Sequence, residues 1–241
     1  YGNILFKLVI RNLKNREIMR LNKNHGLPGT LIVVEGIDGS GKSTQIALLR
    51  DWLCSTAGDV IFTEWNSSQL ISDTTKKAKK KNLLSPRTFS LLHAVDFADR
   101  LEQVIVPALK AGFIVLADRY FYTAFARDAA RGVDPNWVRN MYGYSIKPDL
   151  AVYFKVPVEI SLDRICTNRA PKFYEAGMDL HLSNDPYESY KIFQTRVISE
   201  YDKMIEEFGL VKIDATDTIH HQQLLFREIV TRKLSEKGIK I

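Results

Sequence analysis

The sequence predicts a three-layer α/β fold, and three observations carry the prediction. Short apolar runs alternate with helix-length amphipathic segments along most of the 241 residues, the pattern of a parallel sheet wound with crossover helices. The first apolar run leads directly into Gly36-Ile37-Asp38-Gly39-Ser40-Gly41-Lys42-Ser43, which fits the phosphate-loop pattern G-x-x-x-x-G-K-[ST] at every fixed position. No internal repeat or low-complexity linker interrupts the alternation. The expected architecture is therefore of the P-loop NTPase type, a five-stranded parallel sheet with helices on both faces.

Leu31 to Val34 is an unbroken apolar run that reads as a buried parallel strand. Glycines at 36, 39 and 41 let the backbone after it turn tightly and aim successive N–H groups at phosphate oxygens, and the helix opening near Lys42 adds its positive end. Lys42 then reaches the β- and γ-phosphates, Ser43 holds Mg²⁺ and Thr44 contacts the α-phosphate. Ile46, Leu48, Leu49 and Leu53 continue that helix.

Asp59 to Glu64 reads as a second strand, and Trp65 to Ser68 as a loop at the sheet end where open α/β folds bind ligands. The lysine run at 76 to 81 reads as a solvated helix face or loop. Ser85-Pro86 opens a long helix carrying Leu91, Leu92, Val95, Ala98, Leu101, Ile105 and Leu109. Phe113 to Ala117, a third strand, delivers Asp118-Arg119-Tyr120 to the carboxyl edge, where a carboxylate can order Mg²⁺ and an arginine can clamp phosphate. An aspartate capping the next helix accounts for the same residues.

Asp134-Pro135 starts a short helix, and Leu150 to Phe154 is a fourth strand. A helix from Val158 to Arg169 gives way to a basic Pro/Gly loop, a candidate lid around 166–184. Asp185-Pro186-Tyr187-Glu188 reads as a capping box, with Phe193, Val197, Tyr201, Met204 and Phe208 as the stripe of a long helix. Leu210 to Ile213 is a fifth strand, and a last helix carries Ile219, Leu224, Ile229 and Val230.

The formal net charge is +6, yet basic residues concentrate in 1–28 and in the lysine run. The remainder is mildly acidic, so no nucleic-acid or membrane partner is expected. Two cysteines without metal-ligand spacing fit a reduced, cytoplasmic setting. Residues 1–28 read as a basic extension, with organellar targeting left open, ahead of a single domain at 29–241.

From about Leu31 to about Gln223 the chain resembles the thymidylate kinases, within the nucleoside monophosphate kinases. The likeness rests on Val34 to Gln45 around the phosphate loop, Asp118-Arg119-Tyr120, Lys147-Pro148-Asp149-Leu150, Ile213-Asp214-Ala215, and Asp99-Arg100-Leu101-Glu102 with Pro107-Ala108-Leu109 on the long helix. The resemblance implies transfer of the γ-phosphoryl of ATP to thymidine monophosphate with Mg²⁺, commonly in a homodimer. It places Arg100 and Arg119 on the acceptor's phosphate, Asp38 near its sugar or phosphate, and Asp118 with Ser43 at the metal. Gly39 stands where one subgroup carries an arginine, so the chain resembles the subgroup that draws a cation from the lid. Arg169 is the first choice for that cation and Lys172 the alternative.

The chain also departs from the family's pattern. Glu64-Trp65-Asn66-Ser67 replaces the usual Glu-Pro-Gly-Gly, and the acceptor helix is about one turn longer, leaving His93, Asp96 and Phe97 to compete for the base-stacking position. Phe97 is chemically the best of them, though its spacing also suits a core residue. Arg127 and Asp128 replace a tyrosine and a glutamine near the sugar and base. Two further readings stay open, a related kinase for another monophosphate or a deoxynucleoside, and a non-catalytic nucleotide switch.

Overall fold

The computed structural model describes residues 24–82 and 84–239. Its strands are β1 (Thr30–Glu35), β2 (Val60–Glu64), β3 (Ile114–Asp118), β4 (Leu150–Lys155) and β5 (Val211–Asp214). They form one five-stranded parallel sheet in the order β2-β3-β1-β4-β5. The central β1 is buried along its whole length, and a strand covered on both faces has no polar face to show, which is why Leu31 to Val34 is continuously apolar. β1 and β3 end side by side, with Val34 opposite Asp118, so the phosphate loop and Asp118-Arg119-Tyr120 leave the same edge of the sheet.

The helices are α1 (Lys42–Thr56), α2 (Ser72–Lys80), α3 (Pro86–Arg100), α4 (Val106–Lys110), α5 (Phe121–Ala130), α6 (Pro135–Met141), α7 (Val158–Cys166), α8 (Pro186–Phe208) and α9 (Ile219–Glu236). A π-helical turn at Leu101–Ile105 joins α3 to α4 without a break. Ser85 Oγ accepts from the Thr88 amide at 3.3 Å, and Asp134 Oδ1 from Asn136 and Trp137 at 2.7 and 3.0 Å, as their sequence positions require. Only half of the expected capping box forms. Asp185 Oδ1 accepts from Tyr187 N at 3.1 Å, but Glu188 pairs with Lys191. The Asp185 amide donates to Ser183 Oγ instead.

Two expected apolar stripes are also incomplete. Ile219 and Leu224 are 57% and 51% exposed, and α9 buries the expected Ile229 and Val230 together with Gln222, Gln223, Phe226 and Leu234. Leu91 and Val95 are 47% and 41% exposed because α3 turns Phe89, Ser90, His93, Asp96, Phe97 and Arg100 inward. Polar groups on a buried helix face must meet partners or a ligand. The helix expected to reach Arg169 ends at Cys166.

Of the basic extension expected at 1–28, residues 1–23 lie outside the described part. His25 Nε2 sits 2.8 Å from Asp149 Oδ2, which also accepts the Leu31 amide at 2.8 Å, while Asp149 Oδ1 accepts from Lys237 Nζ at 2.9 Å. One carboxylate thus ties the approach to β1, the start of β4 and the end of α9.

Asp128 on α5 is buried with neither oxygen in a well-formed hydrogen bond. Burial pushes its carboxyl up to about 7, against the opposing pull of Ser90, Arg131 and Arg127. A carboxyl raised by folding holds its proton more tightly in the native state, so stability falls as pH climbs from the ordinary value of 3.8 through about 7. Asp128→Asn should therefore lose less stability than the parent between pH 5 and 8, read from denaturant midpoints at each pH. Equal losses in the two proteins would show that Asp128 is already ionised in the fold.

Candidate active site

The phosphate loop runs from the end of β1 into α1 with Gly39 at φ +77° and Gly41, the residue before the helix, at φ +86°. A Cβ on Gly39 would stand 2.4 Å from the carbonyl oxygen of Ser161 on α7, so neither this backbone nor its neighbour leaves room for a side chain. Arg164, also on α7, donates to Ser40 O at 3.3 Å and to Ala215 O at 2.8 Å, bracing the loop against the exit of β5. The seven loop residues Ile37 to Ser43, together with Thr44 and Arg169, line a cavity of about 290 Å³.

Lys42 Nζ lies 2.9 Å from Asp118 Oδ1 and 3.3 Å from Oδ2. Burial and the nearby Arg119 charge lower the Lys42 ammonium, with Asp118 and Asp38 pulling the other way. Helix α5 has Tyr120 as its capping position and no side-chain cap. Asp118 therefore does not serve as a helix cap, and its carboxylate is turned to the phosphate loop. Asp38 receives Arg119 Nη2 on Oδ1 at 2.7 Å and Arg127 Nη2 on Oδ2. Burial alone would raise the Asp38 carboxyl, but the combined charge of Arg127, Arg119 and Lys42 holds it well below the usual carboxylate range.

Arg119 sits at φ +70°, a left-handed conformation uncommon for a residue with a side chain. Its neighbours hold it there. The Arg119 amide donates to Val34 O at 2.9 Å and the Tyr120 amide to Glu35 Oε1 at 2.7 Å. Glu35 is wholly buried and also accepts from Thr123 Oγ1 at 2.6 Å and Tyr201 OH at 2.7 Å. Burial raises its carboxyl despite these donors.

A second cavity of about 620 Å³ shares Asp38 and Lys42 with the first and extends past Asp118, Arg119 and Arg127 to Trp65, Lys79, Phe89, His93 and Tyr174. Phe97 and Arg100, both expected at the acceptor, do not line it. Phe97 is 0% exposed and packs edge-on to Tyr120 and Tyr142, as a core residue. Arg100 is 1% exposed, donates through Nε to Thr63 Oγ1 at 3.0 Å, and lies 5.9 Å from the ring of Trp65, which does line the cleft. Of the two cations expected from a lid, Arg169 lines the phosphate-loop cavity and Lys172 the second one. Arg169 is held by Glu175 through contacts of 2.7 and 3.1 Å, and Lys172 also lies near that carboxylate, at 3.8 Å.

Ser43 is exposed and lines the phosphate-loop cavity, and Asp118 contacts Lys42, the residue before it in the chain. One hydroxyl and one carboxylate form an all-oxygen pair that suits Mg²⁺, which takes few protein ligands and completes its shell with water and substrate phosphates. Among the described residues no group of three or more His, Cys, Asp or Glu gathers as a closed metal site.

A family model described as thymidylate kinase matches residues 34–223. The chain belongs to the thymidylate kinase family. It is 47% identical to a probable thymidylate kinase 2 of Saccharolobus solfataricus over 84% of this chain and 95% of that protein. It is 31% identical to a probable thymidylate kinase of Thermococcus kodakarensis, over 79% of this chain and 93% of the relative. A probable thymidylate kinase of Thermococcus onnurineus is 37% identical over 76% and 87%.

Within this thymidylate kinase framework the departures have physical partners. Asp96 accepts from the amides of Asn66 at 3.0 Å and Ser68 at 2.9 Å, and Asp99 from Ser68 Oγ at 2.6 Å. The loop that replaces Glu-Pro-Gly-Gly is thus pinned by two carboxylates of α3. Lys79 belongs to a run that reads as solvated, yet it is half-buried on the cleft, 5.0 Å from the Phe89 ring. Burial, with the Arg127 and Arg131 charges, lowers its ammonium to about 8. The Phe89 and Tyr174 rings stack at 4.9 Å, a contact between α3 and the lid that spacing alone does not reveal. Because Gly39 has no space for a Cβ, Gly39→Ala should keep the fold and weaken ATP binding by about tenfold or more. Calorimetric titration checks this, and unchanged affinity would mean that the loop reshapes freely.

Proposed function

We propose that this chain transfers the γ-phosphoryl of ATP to thymidine monophosphate, giving ADP and thymidine diphosphate. The observation that carries the reading is the meeting of two cavities at Asp38 and Lys42. One is walled by phosphate-loop amides and suits the triphosphate. The other has arginines at the shared end and aromatic rings at the far end, the polarity of a nucleoside monophosphate entering phosphate first.

In the reaction an oxygen of the acceptor's phosphate attacks the γ-phosphorus, the bond from that phosphorus to the β,γ-bridging oxygen breaks, and ADP carries the electron pair away. The attacking oxygen is already ionised, so no general base is required. The protein's task is to align two polyanions and to neutralise charge as it spreads in the transition state. Lys42 leaves Asp118 for the β- and γ-phosphates, Arg119 and Arg127 turn from Asp38 toward the acceptor's phosphate, and Thr44 contacts the α-phosphate. Arg169, or Lys172, comes from the lid at 166–184 once Glu175 releases it. Mg²⁺ held through Ser43 and Asp118 would supply further neutralisation of the β- and γ-oxygens.

The remaining assignments have their own support. Leu91, Val95 and Tyr144 leave apolar area exposed at and near the outer face of α3, which suits a homodimer contact. Among the described residues no helix is long and apolar enough to cross a membrane, consistent with work in the cytoplasm. Arg119 and Arg127, side by side on Asp38 at the acceptor cavity, suit a phosphorylated acceptor, which offers them a second anion as a neutral deoxynucleoside does not.

ADP release should require ATP, Mg²⁺ and thymidine monophosphate, and turnover with thymidine in place of its monophosphate would overturn the reading. Arg119→Ala should lower kcat/KM for the monophosphate on the order of a hundredfold or more while leaving ATP affinity nearly unchanged. A selective loss of ATP binding would reassign Arg119 to the donor side.

A further inference from the structure

The far end of the acceptor cleft holds polar atoms for which the described protein supplies no partner. His93 is 3% exposed and lines the cleft, yet neither Nδ1 nor Nε2 makes a hydrogen bond. Trp65 Nε1 and Asn66 Oδ1, on the same wall, are likewise buried and unpaired. Buried groups left unpaired destabilise a fold, and such a cluster on one cavity wall is a place where a bound ligand can supply the missing partners. The other candidates on α3 are already committed, since Asp96 holds the 66–68 loop and Phe97 is core.

We propose that His93 reads the acceptor's nucleobase, pairing its imidazole with the carbonyl and imide edge of a thymine- or uracil-type base in the aromatic-lined end of the cleft. This rests on the kinase reading above. Trp65 and Phe89 pack against His93 with ring centroids 5.3 and 4.3 Å away, so aromatic rings fix the imidazole on the cleft wall where a base would meet it. The ring stays uncharged because burial, together with the charges of Lys79, Arg131, Arg127 and Arg119, disfavours a second proton. A neutral imidazole offers one N–H and one lone pair. The indole N–H of Trp65 and the Lys79 ammonium add donors on the same cleft, with Asn66 Oδ1 as an acceptor. The complementary edge has two carbonyl oxygens flanking an imide N–H. Cytosine meets the donors with an amino group and is disfavoured.

The test compares kcat and KM for thymidine, deoxyuridine and deoxycytidine monophosphates in the parent, His93→Leu and His93→Asn, with KM for ATP as the control. His93→Leu keeps apolar volume and removes both nitrogens. It should raise KM for the thymidine and deoxyuridine monophosphates about tenfold or more, leave kcat and the ATP KM within a few-fold, and shrink the preference over deoxycytidine monophosphate by a similar factor. His93→Asn, which restores a polar amide, should recover part of that preference. A preference unchanged in His93→Leu, or an equal fall in kcat for every acceptor, would show that His93 only supports the fold. A parent that phosphorylates no pyrimidine monophosphate would overturn the kinase reading itself.

Discussion

The site depends on keeping several cations close together before any phosphate arrives. Lys42, Arg119 and Arg127 converge on one small volume, and their mutual repulsion in a poorly solvated place would drive them apart. Asp118 and Asp38 prevent this by standing in for the phosphates, one against Lys42 and the other between the two arginines. The arrangement is therefore a set of protein ion pairs, which in the proposed reaction the nucleotides exchange for their own. The same pattern recurs on a smaller scale at Arg169, which Glu175 holds and which the proposed reaction frees for the triphosphate.

Such an exchange works only if the cations return to fixed positions, and the buried Glu35 provides the anchor. It joins the end of β1 to the Tyr120 amide, to Thr123 on α5 and to Tyr201 on α8. Tyr201 in turn stacks on Tyr153 of β4 at 4.8 Å. The strained backbone at Arg119 is affordable because both flanking amides are bonded, and strain of that kind persists where surrounding contacts over-determine it. A carboxylate beneath the sheet edge thus sets where an arginine above it points.

The sheet and the phosphate loop were legible in the sequence because each rests on a local rule. An unbroken apolar run means a strand covered on both faces, and a fixed glycine spacing means a backbone that wraps phosphate. Asp118 and Arg119 were legible for the same reason, as their place follows from the end of β3. The far wall of the acceptor cleft was not. Phe97 has the right chemistry for stacking on a base, but α3 turns it into the core, and Arg100 sits against Thr63 and Trp65 instead of the open cleft. Helical periodicity gives the angle between side chains without telling which face meets a cavity. Lys79 was missed for a related reason, since a lysine run reads as solvated until a neighbouring aromatic ring is known to cover it.

The Asp149 clasp bears on how the molecule comes apart. His25, the Leu31 amide and Lys237 all draw on that single side chain, so peeling away the segment before β1 and unwinding the last turn of α9 disrupt a common anchor. Loosening one strips support from the other, and the two margins behave as a single cooperative unit in native-state opening. The edge of the domain farthest along the chain from the phosphate loop is in this way coupled to the strand from which that loop springs.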